Sequence, residues 1–260
     1  MQLSNNPAVD LSTRRWLDRL VTEGELLDTA SRAIMDRAIT RCLKVSPGGL
    51  VHDLARGLNA SPTLALLAGS VSEVFYAVCS LTDDLQDGDA EQYLGPISPA
   101  LALNVQSHLL CLVAVRANEL ETEIGSDRSG QLVLDVYRTG AAMLLGQRME
   151  IARDPWTVGV YETVARLSAG EQFGTHLAIG AAAARVDTAP WRQLGRSYGT
   201  LLQLVADRES RDPRLEVFPA QEVRDLLSRL IRELERDSCG LGDQAHEHAQ
   251  KLVARCHCDA

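Results

Sequence analysis

The chain has little lysine, few aromatic side chains and no surplus of positive charge. Only Lys44 and Lys251 are lysines among 26 basic residues, which excludes most mechanisms that depend on a lysine amine. Aromatic residues make up 4% of the chain, so an aromatic cage around a cationic ligand would be thin. Acidic residues number 35 and the formal net charge is -9. Because nucleic acids and anionic membranes attract clustered positive charge, we expect neither as a partner.

The sequence also has no convincing stretch in which apolar and polar residues alternate. Apolar residues recur instead at spacings of three and four, which predicts an all-α protein. We find no internal repeat and no low-complexity linker, so we expect a single domain over residues 1–260. Helices are predicted near residues 11–22, 25–44, 62–88, 98–124, 129–152, 157–185, 190–212, 219–237 and 243–256.

Two features bear on the cellular compartment. The chain has six cysteines and no charged-then-apolar leader in its first ten residues, which favours a cytoplasmic protein with free thiols. The long segment Pro62 to Thr82 holds a single charged residue, Glu73, and has the length of a membrane span. Serines interrupt it and two aspartates follow it at once, so we expect a buried core helix and no transmembrane segment.

Three aspartates follow this apolar segment, in the sequence Leu-Thr-Asp83-Asp84-Leu-Gln-Asp87. Residues four apart lie on one face of a helix, so Asp83 and Asp87 should point the same way, with Asp84 beside them. Like charges at the C-terminal end of a helix repel each other and the helix dipole. Either the helix end is simply solvated, or a cation neutralises it, and carboxylate oxygens suit Mg²⁺.

A second acid ends another apolar helix. Gly195 and Gly199 are four apart, which allows a close approach by a neighbouring helix, and Gln203 and Asp207 continue the same spacing. The segment Gly146 to Glu150 ends a further apolar helix with polar groups that could join a common cluster.

These motifs resemble the trans-isoprenyl diphosphate synthase (polyprenyl synthetase) family over roughly Gly48 to Pro219. The segment from Glu73 to Asp87 is similar to the family's first aspartate-rich helix. Gly146-Gln147 is similar to its central Gly-Gln motif, and Gly195 to Asp207 to the approach to its second aspartate-rich helix. The resemblance implies a helical bundle around a central cavity, of the isoprenoid synthase type.

The resemblance also implies roles for individual residues. Catalytic and Mg²⁺-binding roles fall on Asp83, Asp84, Asp87 and Asp207. The substrate would be an allylic prenyl diphosphate, bound by Phe75, Val78, Cys79, Gln147, Gln203, Arg208 and Arg211. Small side chains one turn before the aspartates let a prenyl tail run deeper in this family, so Val78 and Cys79 suggest a donor of C15 or longer. They could equally be ordinary core residues.

The departures from the family pattern concern mainly the second diphosphate. The family's Gly-Gly-Lys-Arg motif, which binds isopentenyl diphosphate, is Gly48-Gly49-Leu50-Val51 here. Tyr76 replaces a histidine, and the arginines expected after Asp87 are missing near Gln92 to Gly95. A dianionic second substrate has no obvious partner there, which argues against ordinary chain elongation.

The second aspartate-rich motif is reduced. Only Asp207 keeps its register, since Ala206 and Ser210 stand at the other acidic positions and Ser168 replaces a lysine. Three arginines could supply positive charge in place of a metal or of that lysine, or could simply be exposed to solvent. They are Arg208, Arg211 and Arg214.

Three functions stay open at this point. The leading hypothesis is a Mg²⁺-dependent prenyltransferase with an unknown acceptor other than isopentenyl diphosphate, such as a sugar lipid, an aromatic ring or another prenyl compound. A class I terpene synthase on the same fold is the first alternative. The second is a non-catalytic partner subunit of a prenyl synthase. The resemblance to the family suggests a homodimer.

Overall fold

The computed structural model describes residues 6–23, 27–42, 47–125, 130–152 and 155–257. The prediction of an all-α protein is confirmed, because the residues in these ranges form helices and no strand. The α-helices are α1 (Pro7–Thr22), α2 (Thr29–Cys42), α3 (Pro47–Gly57), α4 (Pro62–Asp87), α5 (Ala90–Leu94), α6 (Pro99–Ile124), α7 (Gln131–Ile151), α8 (Val158–Ala165), α9 (Glu171–Ala183), α10 (Ala189–Ser210), α11 (Pro213–Glu216), α12 (Ala220–Ser238) and α13 (Asp243–His257).

Several parts of the helix pattern differ from the prediction: α1 begins at Pro7, before residue 11, and the short helices α5 and α11 were not predicted. The predicted helix at 157–185 contains one π-helical turn, Arg166–Gly170, between α8 and α9. Helix α3 also has no predicted counterpart, because a Pro-Gly-Gly sequence such as Pro47-Gly48-Gly49 usually interrupts a helix. Pro47 instead stands at the first position of α3, where its missing N–H costs nothing, and the two glycines lie inside the helix.

The helices belong to two compact units. The first unit consists of Gln2–Val136 and Ile179–Val186, and the second of Tyr137–Ala178 and Asp187–Ala260. In the first unit, α4 packs against α1, α2, α3 and α6. In the second, α10 packs against α8, α12, α13 and the π-helical turn. The single domain expected from the sequence remains a prediction.

Helix α4 is defined at both ends by local signals. The hydroxyl of Ser61 accepts a hydrogen bond from the Leu64 N–H at 3.2 Å, and Pro62 occupies the first turn. Gly88 ends the helix with φ of 83°, in the left-handed region that favours glycine. The last turn of α4 contains no basic residue.

Two described helices, Pro62–Asp87 and Pro99–Ile124, are long and apolar enough to cross a membrane by length and composition alone. Core helices of soluble proteins pass the same test. The most apolar window of α4 is 78% buried inside the protein, whereas that of α6 is 39% buried. The burial of α4 therefore agrees with the buried core helix expected from the sequence.

Small residues allow α3 and α4 to cross closely. A Cβ atom on Gly48 would lie 2.7 Å from the Gly69 carbonyl oxygen and 2.4 Å from Oε1 of Glu73, so only glycine fits there. Val51, one turn later on α3, is fully buried in an apolar cluster with Val71 and Leu120. The first unit thus has a closely packed core that holds α4 in place.

Candidate functional site

The three aspartates lie at the C-terminal end of α4, in the first unit. Asp83 and Asp87, one turn apart, are exposed, and Asp84 is buried with 5% of its surface accessible. The backbone carbonyl of Asp84 accepts hydrogen bonds from the N–H groups of Gly88 and of Asp89, the latter at 2.8 Å. The backbone carbonyl of Asp84 therefore caps the helix end, and the side chains of Asp83 and Asp87 beside it are exposed.

The chain beside these aspartates is fixed by a second helix. The Gln106 side-chain amide of α6 donates to the Thr82 hydroxyl at 2.9 Å, and that hydroxyl donates to the Val78 carbonyl at 2.8 Å. Since both contacts lie within the last two turns of α4, they hold the backbone that carries the aspartates.

The predicted tail-binding residues are all buried on α4. Phe75, Val78 and Cys79 have 1%, 4% and 7% of their surface accessible. Cys79 is a free thiol. Their burial fits either a wall around a prenyl tail or ordinary core packing, so their role stays a prediction.

Helix α4 also carries a buried acid, Glu73, in the first unit. Burial first, and then the negative charge of Asp10, raise the pKa of Glu73 to about 8, against the opposing effect of a backbone hydrogen bond with Gly48. This carboxyl is therefore largely neutral at pH 7.

In the second unit, α10 runs directly against the π-helical turn. A Cβ atom on Gly199 would lie 2.2 Å from the Ala169 carbonyl oxygen, and one on Gly195 would lie 2.3 Å from the Phe173 carbonyl oxygen. The close approach expected from the spacing of these two glycines is confirmed. It brings α8 and α10 together, and with them Tyr161 and Asp207.

Asp207 is buried, and both of its carboxylate oxygens accept hydrogen bonds. The Tyr161 hydroxyl donates to Oδ2 at 2.6 Å, and the Gln203 side-chain amide donates to Oδ1 at 2.8 Å. Burial raises the pKa of Asp207, although the Tyr161 hydrogen bond and the positive charge of Arg214 oppose the shift. Burial and the Asp207 charge likewise raise the pKa of Tyr161.

Arg214 connects Asp207 to two further carboxylates. Its Nη2 lies 3.8 Å from Oδ2 of Asp207 and donates to Oδ2 of Asp212 at 2.6 Å. Its Nη1 donates to Glu150, at the end of α7. The hydrogen bonds with Asp212 raise the pKa of Arg214 and lower that of Asp212. The common cluster expected around Glu150 thus forms through Arg214.

The remaining predicted substrate-binding residues lie in the second unit. Gln147 and Arg208 are half-buried, and Arg211 is exposed at the C-terminal end of α10 with φ of 57°. The side-chain amide of Gln203 donates a hydrogen bond to Asp207. The roles of these four residues stay predictions.

The two acidic sites differ in their fit to Mg²⁺. Within the described part of the chain, no three His, Cys, Asp or Glu side chains converge closely enough to form a metal site by themselves. Mg²⁺ commonly takes only one or two carboxylates, with water and phosphate oxygens as its other ligands. Asp83 and Asp87 suit that mode, because they are exposed on one helix face that has no basic residue in its last turn. Asp207 does not suit it, since protein donors occupy both of its oxygens.

Sequence reasoning missed Tyr161, Asp212 and Trp156 in this cluster. In sequence, Asp212-Pro213 signals only a helix boundary, and Asp212 does cap α11, its side chain accepting a hydrogen bond from the Arg214 N–H. Tyr161 gave no local signal, because it reaches Asp207 across 46 residues of sequence.

No protein-family model and no curated protein matches this chain. Solved structures do match it over nearly its whole length. A geranyltranstransferase of Thermotoga maritima superposes with a TM-score of 0.75 at 18% identity, covering 96% of both chains. An isoprenoid synthase family member from Thermotoga neapolitana gives 0.73 at 17% identity, covering 94% of this chain and 98% of that one.

The small subunit of geranyl diphosphate synthase from Antirrhinum majus gives a TM-score of 0.63 at 12% identity, covering 94% of this chain and 96% of its own. Identities this low establish the fold alone. The chain therefore has the all-α isoprenoid synthase fold that the sequence predicted.

Proposed function

We propose that this chain is a Mg²⁺-dependent prenyltransferase that ionises an allylic prenyl diphosphate and transfers the prenyl group to an acceptor other than isopentenyl diphosphate. The observation that carries the proposal is the end of α4. Asp83, Asp84 and Asp87 are gathered there with no basic residue in the last turn, on a fold shared with a geranyltranstransferase. Carboxylates gathered at the C-terminal end of a helix are disfavoured by the helix dipole and by each other, and a bound divalent cation would offset both effects.

Asp83 and Asp87, both exposed, would hold the metal together with Asp84 beside them. Bound Mg²⁺ would stabilise the negative charge that develops on the departing diphosphate. The buried apolar residues before the aspartates would keep water away from the prenyl cation. Val78 and Cys79 are small and lie one turn before Asp83, which supports a donor of C15 or longer.

The acceptor is proposed to carry no diphosphate. In the positions that match the family's basic motif, Leu50 is half-buried and Val51 is fully buried in the core of the first unit. Neither side chain can pair with an anion. An acceptor with a neutral nucleophile, such as a hydroxyl group, an aromatic ring or an alkene, is compatible with these residues.

A second candidate is a non-catalytic partner subunit of a prenyl synthase. Two observations favour it: the chain is similar in fold to a geranyl diphosphate synthase small subunit, and Asp207 is bonded to protein groups. Either function would involve subunit contacts, and we propose a homodimer. Helix α6 supports this, because Leu101 and Leu103 are 43% and 57% exposed on a helix that is otherwise strongly apolar.

The experiment that tests the proposal is pyrophosphate release from geranyl, farnesyl and geranylgeranyl diphosphates, with and without Mg²⁺ and isopentenyl diphosphate. The organic products are analysed in the same samples. A prenyltransferase of this kind binds a donor only with Mg²⁺, and releases pyrophosphate when candidate hydroxyl or aromatic acceptors are added. An elongated chain would contradict the proposed acceptor, and a cyclised or hydrated product would identify a terpene synthase. A subunit without catalytic function would neither bind a donor in a Mg²⁺-dependent way nor release pyrophosphate.

A further inference from the structure

The guanidinium group of Arg214 is fixed from several sides in the second unit. Asp212 accepts two hydrogen bonds from it, from Nε at 2.9 Å and from Nη2 at 2.6 Å, which is the bidentate geometry of a strong pair. Glu150 accepts from Nη1. The ring of Trp156 lies 5.6 Å from the guanidinium carbon and covers its face. A side chain with this many contacts has little freedom to leave its position.

The carboxylates around Arg214 come from separate parts of the sequence. Glu150 ends α7, Asp207 lies near the end of α10, and Asp212 lies between α10 and α11. These three acids face one guanidinium without standing close enough together to form a metal site by themselves, and they would repel each other without a cation among them. Arg214 is that cation, with Nη2 at 3.8 Å from Asp207 and hydrogen bonds to the other two acids.

The position of Asp207 in the sequence relates this arrangement to metal binding. Asp207 is the one acid that keeps the position of the second aspartate-rich motif in the family that the sequence resembles. Of the three arginines that the sequence offered as replacement charges, Arg214 is the one that the structure pairs with Asp207.

We infer that the guanidinium of Arg214 permanently replaces the metal ion of the second carboxylate site, so that α4 alone supplies metal-binding carboxylates. Asp207 is then a positioning residue for Arg214 and Tyr161 rather than a metal ligand, which replaces the role expected from the sequence. The statement about α4 rests on the proposed function. The statement about Arg214 does not, because the contacts of Arg214 are observed in the structure.

The test counts bound Mn²⁺ by electron paramagnetic resonance on the full chain, in the presence of inorganic pyrophosphate. The isosteric variant Asp207→Asn should bind as many Mn²⁺ ions as the unaltered chain, with affinities within about twofold. Loss of a Mn²⁺ ion in Asp207→Asn would overturn the inference. Because this variant keeps the size of the side chain, circular dichroism should show an intact fold.

The converse variant removes the fixed cation. Arg214→Ala leaves the three carboxylates without their guanidinium. They do not form a metal site as they stand, so they should draw together around one divalent cation in this variant, whereas Arg214→Lys keeps the charge and should gain no site. The added site would lie beside Trp156, so Tb³⁺ luminescence excited through tryptophan should increase at least severalfold in Arg214→Ala only. Unchanged luminescence and an unchanged Mn²⁺ count in a folded Arg214→Ala would overturn the inference.

The outcomes separate this inference from the proposed function. A chain that binds no Mn²⁺ with pyrophosphate would refute the α4 metal site. Even then, Tb³⁺ luminescence of Arg214→Ala can be compared with that of the unaltered chain. An increase would support the role of Arg214, and no increase would refute it, whatever happens at α4.

Discussion

The close contact between α10 and the π-helical turn can be tested by one added methyl group. In Gly199→Ala the new Cβ would lie 2.2 Å from the Ala169 carbonyl oxygen and 2.7 Å from its carbon. Both are backbone atoms, which cannot rotate away as a flexible side chain could. The two segments would therefore have to separate, and Asp207, two turns further along α10, would shift relative to Tyr161.

The size of the effect follows from two opposing contributions. Alanine is favoured over glycine in a helix interior by up to about 1 kcal/mol. Overpacking typically costs about 1–3 kcal/mol and occasionally more, and a clash with backbone lies at the upper end of that range. We expect a net loss of about 2 kcal/mol in the free energy of unfolding. For a chain of this size, that corresponds to a fall of roughly 4–8 °C in Tm.

Urea unfolding followed by far-ultraviolet circular dichroism measures this loss, and Gly140→Ala is the matched control. Gly140 also lies inside a helix, α7, and a Cβ atom there would meet no heavy atom within 4 Å. That variant should keep or gain stability, by up to about 1 kcal/mol. If Gly199→Ala proved as stable as Gly140→Ala, the inferred contact between α10 and the π-helical turn would be wrong.

Three further predictions concern single side chains. Glu73 has a pKa of about 8 in the folded chain against 4.5 unfolded, so the folded state binds the extra proton and stability should fall as pH rises from about 4.5 to 8, by at most about 1.4 kcal/mol per pH unit. Glu73→Gln should flatten this dependence in urea titrations at several pH values, and an unchanged slope would contradict it. Tyr161→Phe removes the hydroxyl that donates to a buried oxygen of Asp207, and should lower the free energy of unfolding by about 1–3 kcal/mol in the same assay. The control Tyr137→Phe, at an exposed position, should change it by no more than about 0.5 kcal/mol. Equal effects of the two variants would refute the role of Tyr161. Cys79→Phe should shift donor binding from geranylgeranyl towards geranyl diphosphate, and an unaltered preference would remove Cys79 from the tail site.

Features governed by neighbouring residues could be predicted from the sequence. The bounds of α4 are one example, because Ser61 and Pro62 at its start and Gly88 at its end act through local backbone geometry. The close approach at Gly195 and Gly199 is another, since their spacing alone puts both on one helix face. The exposed aspartates of α4 were found in the same way.

Features that depend on tertiary packing could not be predicted. Helix α3 contains two glycines that oppose a helix locally, and it is stabilised by packing against α4 at Gly69. The pairing of Arg214 with Asp207 was equally hidden, because Arg208, Arg211 and Arg214 look alike in sequence. Only the fold, which brings Glu150 and Asp212 to the same point, distinguishes Arg214 from the other two.

The central claim is that the aspartates of α4 bind a prenyl diphosphate through Mg²⁺. Equilibrium binding of farnesyl diphosphate with and without Mg²⁺ tests it most directly, in the unaltered chain, in the double variant Asp83→Asn/Asp87→Asn and in the control Glu91→Gln on α5. We predict that Mg²⁺ tightens binding at least about tenfold, or 1.4 kcal/mol, in the unaltered chain and in Glu91→Gln. The double variant should lose that dependence while remaining folded, as circular dichroism would show. Donor binding that does not respond to Mg²⁺, or a double variant that binds like the unaltered chain, would contradict the claim.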